Sequence, residues 1–163
     1  MNIILNHNQI NHKLKRIAYQ IYESNFNESE IVLAGISHRG FDIAKLLKDI
    51  LESISPLQII LCEVLIDKKN PLKTIKTSIP KSEYTNKSIV LVDDVLNSGT
   101  TLIYGVKHFL NVPLKKFKTA VLVNRNHKKF PVKADFKGIS LSTSLNELVK
   151  VDLIKNNFKA YLV

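Results

Sequence analysis

The chain of 163 residues has one cysteine, Cys62, so neither an internal disulfide nor a thiolate metal cluster can form, in keeping with a reducing compartment. Cys62 lies in the apolar stretch Gln58–Ile66, where burial is expected rather than reactivity. Long apolar runs are lacking as well. Stretches such as Leu57–Leu61 and Ile89–Val92 are far too short to cross a bilayer as a helix. The Met1 end has no basic segment followed by an apolar run, so no leader is expected and the chain reads as cytoplasmic. No metal-ligand spacing links His7, His12, His38, His108 and His127, which argues against a zinc site. Acids are scarce relative to bases, 14 against 24, giving a formal net charge of +10. This imbalance favours anionic partners, whether polyphosphate or RNA, and says nothing about fold.

Hydrophobic residues make up 45% and charged residues 23%, the balance of one globular domain with a full core. Ile10, Leu14, Ile17, Ala18 and Ile21 recur at helical spacing, predicting an amphipathic helix from Asn8 to about Asn25. Ile31–Ile36 is a short, β-branched run ending in a glycine-containing turn, as a buried parallel strand would be. A helix is expected from about Phe41 to Ile54, and further strands at Leu57–Ile66, Ile89–Val92 and Lys118–Val123, with a helix from about Thr100 to Leu110. Residues 67–87 are polar, contain Pro71 and Pro80, and show no period; a loop this long in a compact domain suggests a lid. The alternation of strand and helix, without repeats or linkers, implies one α/β domain over residues 1–163, built on a doubly wound, mainly parallel sheet. Ligands in such sheets bind at the carboxyl ends of the strands. Residues 124–163 are irregular and are expected to add short strands capping that same edge, as a hood.

The segment Ser88–Thr101 carries the chemistry. A buried strand runs into the adjacent carboxylates Asp93 and Asp94, then through Val95, Leu96, Asn97, Ser98, Gly99, Thr100 and Thr101 into a helix. Free amides at a helix start, with a glycine permitting close approach and hydroxyls as added donors, make a cradle for a monophosphate. Two carboxylates at a strand end can accept hydrogen bonds from a vicinal diol. Taken by themselves the same acids would also suit a Walker B element, a metal site or a solvated strand end. A second turn, Gly35-Ile36-Ser37-His38-Arg39-Gly40, is bracketed by glycines and carries one fixed cation; Phe41 stands where a P-loop needs lysine. As a lone glycine turn it would equally serve as a plain strand-to-helix connection.

The order of strand, acids and phosphate turn resembles the signature of the type I phosphoribosyltransferases. The similarity covers most of the chain and comes nearest to the pyrimidine-operon attenuator proteins that are also uracil phosphoribosyltransferases. Besides the two turns, it rests on Leu14–Ile21, on Ala120–Phe136 and on Gly138–Ser144. The resemblance implies that Asp93 and Asp94 hold the ribose hydroxyls, partly through the water shell of Mg2+, and that Asn97–Thr101 hold the 5′-phosphate of phosphoribosyl pyrophosphate. It further implies that the turn containing Ser37, His38, Arg39 and Gly40 binds pyrophosphate, and that Asn124 and Arg125 face the nucleobase, although an arginine beside His127, Lys128 and Lys129 would also suit a solvated surface. A homodimer is what the family suggests.

Two departures stand out. Residues 67–87 contain lysines but no arginine, whereas the family's mobile loop usually brings one to the pyrophosphate; Lys68 is the nearest substitute, and a point charge cannot reproduce a guanidinium's geometry. Asn97 replaces the tyrosine of many relatives and the aspartate of 6-oxopurine enzymes, so uracil is favoured over a purine. The expected activity is therefore Mg2+-dependent transfer of a phosphoribosyl group to a base, with Arg39, Asp93 and Asp94 central to it. The alternatives are a purine enzyme, or a catalytically weak nucleotide sensor that binds pyrimidine-operon RNA through Lys13, Lys15, Arg16 and the stretches Lys115–Lys118 and Lys128–Lys137.

Overall fold

A computed structural model describes residues 1–163. Its elements are β1 (Asn2–Leu5), α1 (His7–Ser24), β2 (Glu30–Ile36), α2 (Arg39–Ile54), β3 (Gln58–Leu65), β4 (Lys76–Thr77), β5 (Ser88–Leu96), α3 (Thr100–Phe109), β6 (Lys116–Asn124), β7 (Phe136–Ser140), β8 (Val149–Ile154) and β9 (Asn157–Leu162), with a 3-10 turn at Lys81–Glu83. The main sheet has the order β4-β3-β2-β5-β6-β7, and all its pairings are parallel except the short edge strand β4. Strands covered on both faces need apolar side chains throughout, and β2 is buried along its length from Ile31 to Ile36.

Two apolar layers sandwich this sheet. On one face Ile10, Leu14, Ile17, Ala18 and Ile21 of α1 and Ile43, Leu47 and Leu51 of α2 pack on Ile31, Leu33, Val90 and Leu122. On the other, Leu102 and Phe109 of α3 join Val32, Ala34, Ile89, Leu91, Cys62 and Tyr84. Cys62 is fully buried, and burial pushes its thiol up, as expected of a core residue. The start of α1 is fixed by a capping box in which Asn6 Oδ1 accepts from the Gln9 amide at 3.0 Å and the Asn6 amide donates to Gln9 Oε1 at 2.9 Å. No helix is long and apolar enough to cross a membrane.

Three features differ from the sequence expectation. The strand expected to end at Val92 continues as β5 to Leu96, because Asp93, Val95 and Leu96 still pair with Val121, Val123 and Asn124 of β6. Within residues 67–87 the second half is docked: Glu63 exchanges hydrogen bonds with the backbone and hydroxyl of Ser78 at 2.9 and 2.8 Å, and Tyr84 is buried against Phe109, while in the first half Ile75 packs on the same core. The hood is a separate antiparallel sheet ordered β1-β9-β8, so the chain's first strand belongs to it, while β7 extends the main sheet instead. The four residues of β1 are too few to carry a readable period, and their pairing with β9 lies at the far end of the chain.

Candidate active site

Leaving β2, the chain crosses through α2 to β3 on one side, while β5 lies on the other side of β2. The carboxyl ends of β2 and β5 thus flank the point where the winding reverses, the usual place for a ligand crevice in an open α/β sheet. The Gly35–Gly40 turn and the acidic pair meet there. A β-carbon on Gly40 would lie 2.6 Å from Val92 O, 3.0 Å from Asp93 Cα and 3.1 Å from Asp93 Oδ1, so only glycine lets the turn rest directly on the end of β5. The Ser37–His38 peptide is cis, and the Ser37 amide donates to Val64 O at 2.9 Å.

A cavity of about 220 Å3 opens at this edge. Its polar wall is Asp93, Asp94 and the run Asn97–Thr101, Lys68 stands at its mouth, and Val121 and Val149 form an apolar side. The structure therefore gathers Asp93–Thr101, Val95 and Leu96 included, together with Lys68, around one space. Gly99 adopts φ +85° at the start of α3, and a β-carbon there would come within 2.7 Å of Val132 Cγ1. Gly99 has no side chain to cap α3, and among the first-turn amides that of Thr100 donates to Ser98 Oγ at 3.3 Å, so the remaining amides and the helix dipole favour an anion. The Ser98 and Thr100 hydroxyls share a hydrogen bond of 2.8 Å beside them.

Electrostatics divide the acidic pair. Asp93 is 4% exposed; its Oδ1 accepts from the Asp94 amide at 2.9 Å and lies 3.9 Å from Lys68 Nζ. Burial, then the neighbouring Asp94 carboxylate, holds the Asp93 carboxyl well above its ordinary range, and Lys68 offsets only part of this. Asp94 is partly accessible and uses one oxygen to accept from the Val95 amide at 2.8 Å. No third carboxylate, histidine or cysteine joins the pair. Two hard oxygen ligands suit Mg2+, which takes one or two carboxylates and completes its shell with water and substrate phosphate.

The remaining expected residues are placed differently. Arg39 does not line the cavity; its Nε donates to Val151 O and its Nη2 lies 3.6 Å from Asp152 Oδ1, both on the hood strand β8. Arg125 is neither free toward a base nor solvated. It is 4% exposed, and its guanidinium donates to Asn97 Oδ1 at 2.9 Å, Thr143 Oγ1 at 3.0 Å, Ser144 O at 3.2 Å and Glu147 O. Asn124 is buried beside it, donating to Asn126 Oδ1 at 3.2 Å and to Ser140 Oγ at 3.4 Å. Thr143, Glu147 and Asp152 escape sequence reasoning because each matters through a partner 18 to 113 positions away, a distance over which no periodicity or motif speaks. The lysine stretches also separate: Lys115 pairs with Glu28 and Lys116 donates to Ser24 O at the start of β6, whereas Lys128 and Lys129 follow its far end.

Comparison with known proteins gives a consistent result. The model of the phosphoribosyl transferase domain matches residues 1–152. The bifunctional protein PyrR of Fusobacterium nucleatum is 35% identical over 161 residues, spanning 94% of this chain and 91% of the relative. That of Streptococcus mutans is 34% identical over 147 residues, spanning 87% and 82%. Among solved structures, a hypoxanthine-guanine phosphoribosyltransferase of Bacillus anthracis superposes with TM-score 0.78 at 20% identity, over 100% of this chain and 97% of that one. The hypoxanthine phosphoribosyltransferase of Trypanosoma cruzi gives 0.80 at 15%, over 99% and 96%. At such identities the structural likeness speaks for the fold.

Proposed function

The chain belongs to the phosphoribosyltransferase family, and from that premise we propose that it moves the 5-phosphoribosyl group of phosphoribosyl pyrophosphate onto a nucleobase, uracil in preference, releasing pyrophosphate. One observation carries the reading: Asp93 and Asp94 stand in the same cavity as the start of α3 with its Ser98, Thr100 and Thr101 hydroxyls. A sugar diol and a phosphate on one molecule match that pair of features. The carboxylates accept hydrogen bonds from the ribose hydroxyls, and the turn fixes the 5′-phosphate, so the anomeric carbon is presented to the base in one orientation. Val121 and Val149 keep water from that side of an oxocarbenium-like transition state. Asp93 and Asp94 would hold Mg2+ through water, and the bound ion would offset charge on the departing pyrophosphate. Lys68 is the cation already in the cavity, and with no arginine in residues 67–87 it serves the leaving group together with the amides of the Gly35–Gly40 turn and Arg39.

Asn97 supports uracil, since its side chain cannot take a proton from a purine ring and its Oδ1 is already occupied by Arg125. Pyrophosphate release with uracil, hypoxanthine, guanine, xanthine, adenine and orotate tests the choice; turnover with a purine alone would make it a purine enzyme. Calorimetric titration tests the site itself. Asp93→Asn combined with Asp94→Asn should abolish binding of phosphoribosyl pyrophosphate, and affinity equal to the parent would refute the assignment.

A sensor that binds RNA is the second reading, and one contact favours it. The exposed Lys128 and Lys129 belong to a loop whose Lys129 and Phe130 amides donate to Ser98 O at 2.8 and 3.2 Å, so the basic loop and the phosphate turn are physically joined. Gel shifts with a pyrimidine-operon leader and an unrelated transcript, with and without phosphoribosyl pyrophosphate, decide it; equal, salt-sensitive binding would mean charge alone. The proposed homodimer is checked by sedimentation.

A further inference from the structure

Resting on the reading that Arg39 serves the departing pyrophosphate, we propose that Asp152 is an internal competitor for Arg39, an anion of the hood that holds this guanidinium away from the leaving-group site until pyrophosphate displaces it. Arg39 opens α2, where the positive end of the helix dipole disfavours a cation, and no side chain caps that helix. Its head instead reaches the hood, with Nε on Val151 O and Nη2 3.6 Å from Asp152. An anion on the Gly35–Gly40 turn and Asp152 therefore offer the same guanidinium two alternative partners.

The strand that provides the latch also provides a wall of the cavity. Val149 lines the space in front of Asp93, and Val151 follows two residues along β8, roughly 7 Å away at the usual strand rise. A long, four-torsion side chain rooted beside Gly40, itself in contact with Asp93, spans such a distance by changing rotamers alone. Asp152 is shared rather than dedicated. Lys159 sits directly opposite it across the β8–β9 hairpin, with Nζ 3.9 Å from the second carboxylate oxygen. Lys159 thus draws on the charge that holds Arg39, and removing it should strengthen the latch.

Binding of inorganic pyrophosphate with magnesium, and separately of ribose 5-phosphate, to the full chain by calorimetry tests the proposal. Asp152→Asn should tighten pyrophosphate binding about two- to five-fold, the size of one partly exposed ion pair, and leave ribose 5-phosphate unchanged. Lys159→Met should weaken pyrophosphate by a similar factor in the parent and have no effect in the Asp152→Asn background, a sign pattern that a merely structural role would not produce. In an Arg39→Ala background, Asp152→Asn should no longer matter. Pyrophosphate binding equal to or weaker than the parent's in a folded Asp152→Asn protein overturns the latch; should that variant not fold, unchanged or tighter binding in Lys159→Met overturns it. These outcomes stay separate from failure of the transferase reading, in which the parent binds neither pyrophosphate nor ribose 5-phosphate and the latch falls with it.

Discussion

Replacing Arg125 discriminates between two roles for a cation at the end of β6. If its guanidinium acts as a strut, its value lies in four simultaneous hydrogen bonds that join Asn97 of the phosphate turn to the loop of residues 143–147. Arg125→Leu removes all four donors at once; the exposed Asn97 and Ser144 can turn to water, whereas the half-buried Thr143 hydroxyl and Glu147 carbonyl recover less. At about 1 kcal/mol for each acceptor that stays unsatisfied, with some recovery by solvent, the loss is about 1–3 kcal/mol. For a chain of this size that lowers Tm by about 2–10 °C. Arg125→Lys keeps the charge but cannot reach four acceptors, so it should recover little of the loss. Thermal unfolding gives the first measurement, and the KM for the base, compared with that for phosphoribosyl pyrophosphate, gives the second. Under the strut reading both substitutions raise the base KM together with the fall in Tm, because the loop of residues 143–147 loses its anchor to Asn97. A Lys variant with parent-like base KM, or a Leu variant with unchanged Tm, would refute it and return Arg125 to a direct contact with substrate.

The pH dependence of stability follows from Asp93. Its folded-state carboxyl is raised above the unfolded value by burial and Asp94, so its stabilising contribution is fully present below the unfolded carboxylate range and is lost as pH rises through the raised folded value. In the ligand-free protein Asp93→Asn should therefore raise Tm at neutral pH and remove that limb of the Tm-versus-pH curve, while weakening substrate binding; an identical curve would refute the desolvation argument. Gly40→Ala should cost about 1–3 kcal/mol by overpacking against Val92 O and Asp93 and should impair turnover beyond its effect on folding, measured by denaturant unfolding alongside pyrophosphate release. Phe109→Ala removes a fully buried ring that stands edge-on to Tyr84 at 5.0 Å and to Phe117 at 5.8 Å; about 3–5 kcal/mol should be lost in urea titration, and substrate affinity of the folded fraction should not change.

Local chemistry and near-neighbour periodicity decide what a sequence can disclose, and here they disclosed a good deal. The stripe from Ile10 to Ile21 announces α1, the run from Ile31 to Ile36 a covered strand, and the sequence from Asp93 to Thr101 a polar cluster at a strand end, because each feature is complete within about a dozen contiguous residues. The departure at Asn97 was legible only against the family that the segment resembles. The tertiary structure alone decided where the guanidiniums of Arg39 and Arg125 go, how β1 joins β9 from the opposite end of the chain, and why half of residues 67–87 is docked around Tyr84. The physical reason is the same in each case. A charged or aromatic side chain takes whichever partner the folded chain brings within reach, and that partner is set by the packing of distant elements, which no local stretch of residues encodes.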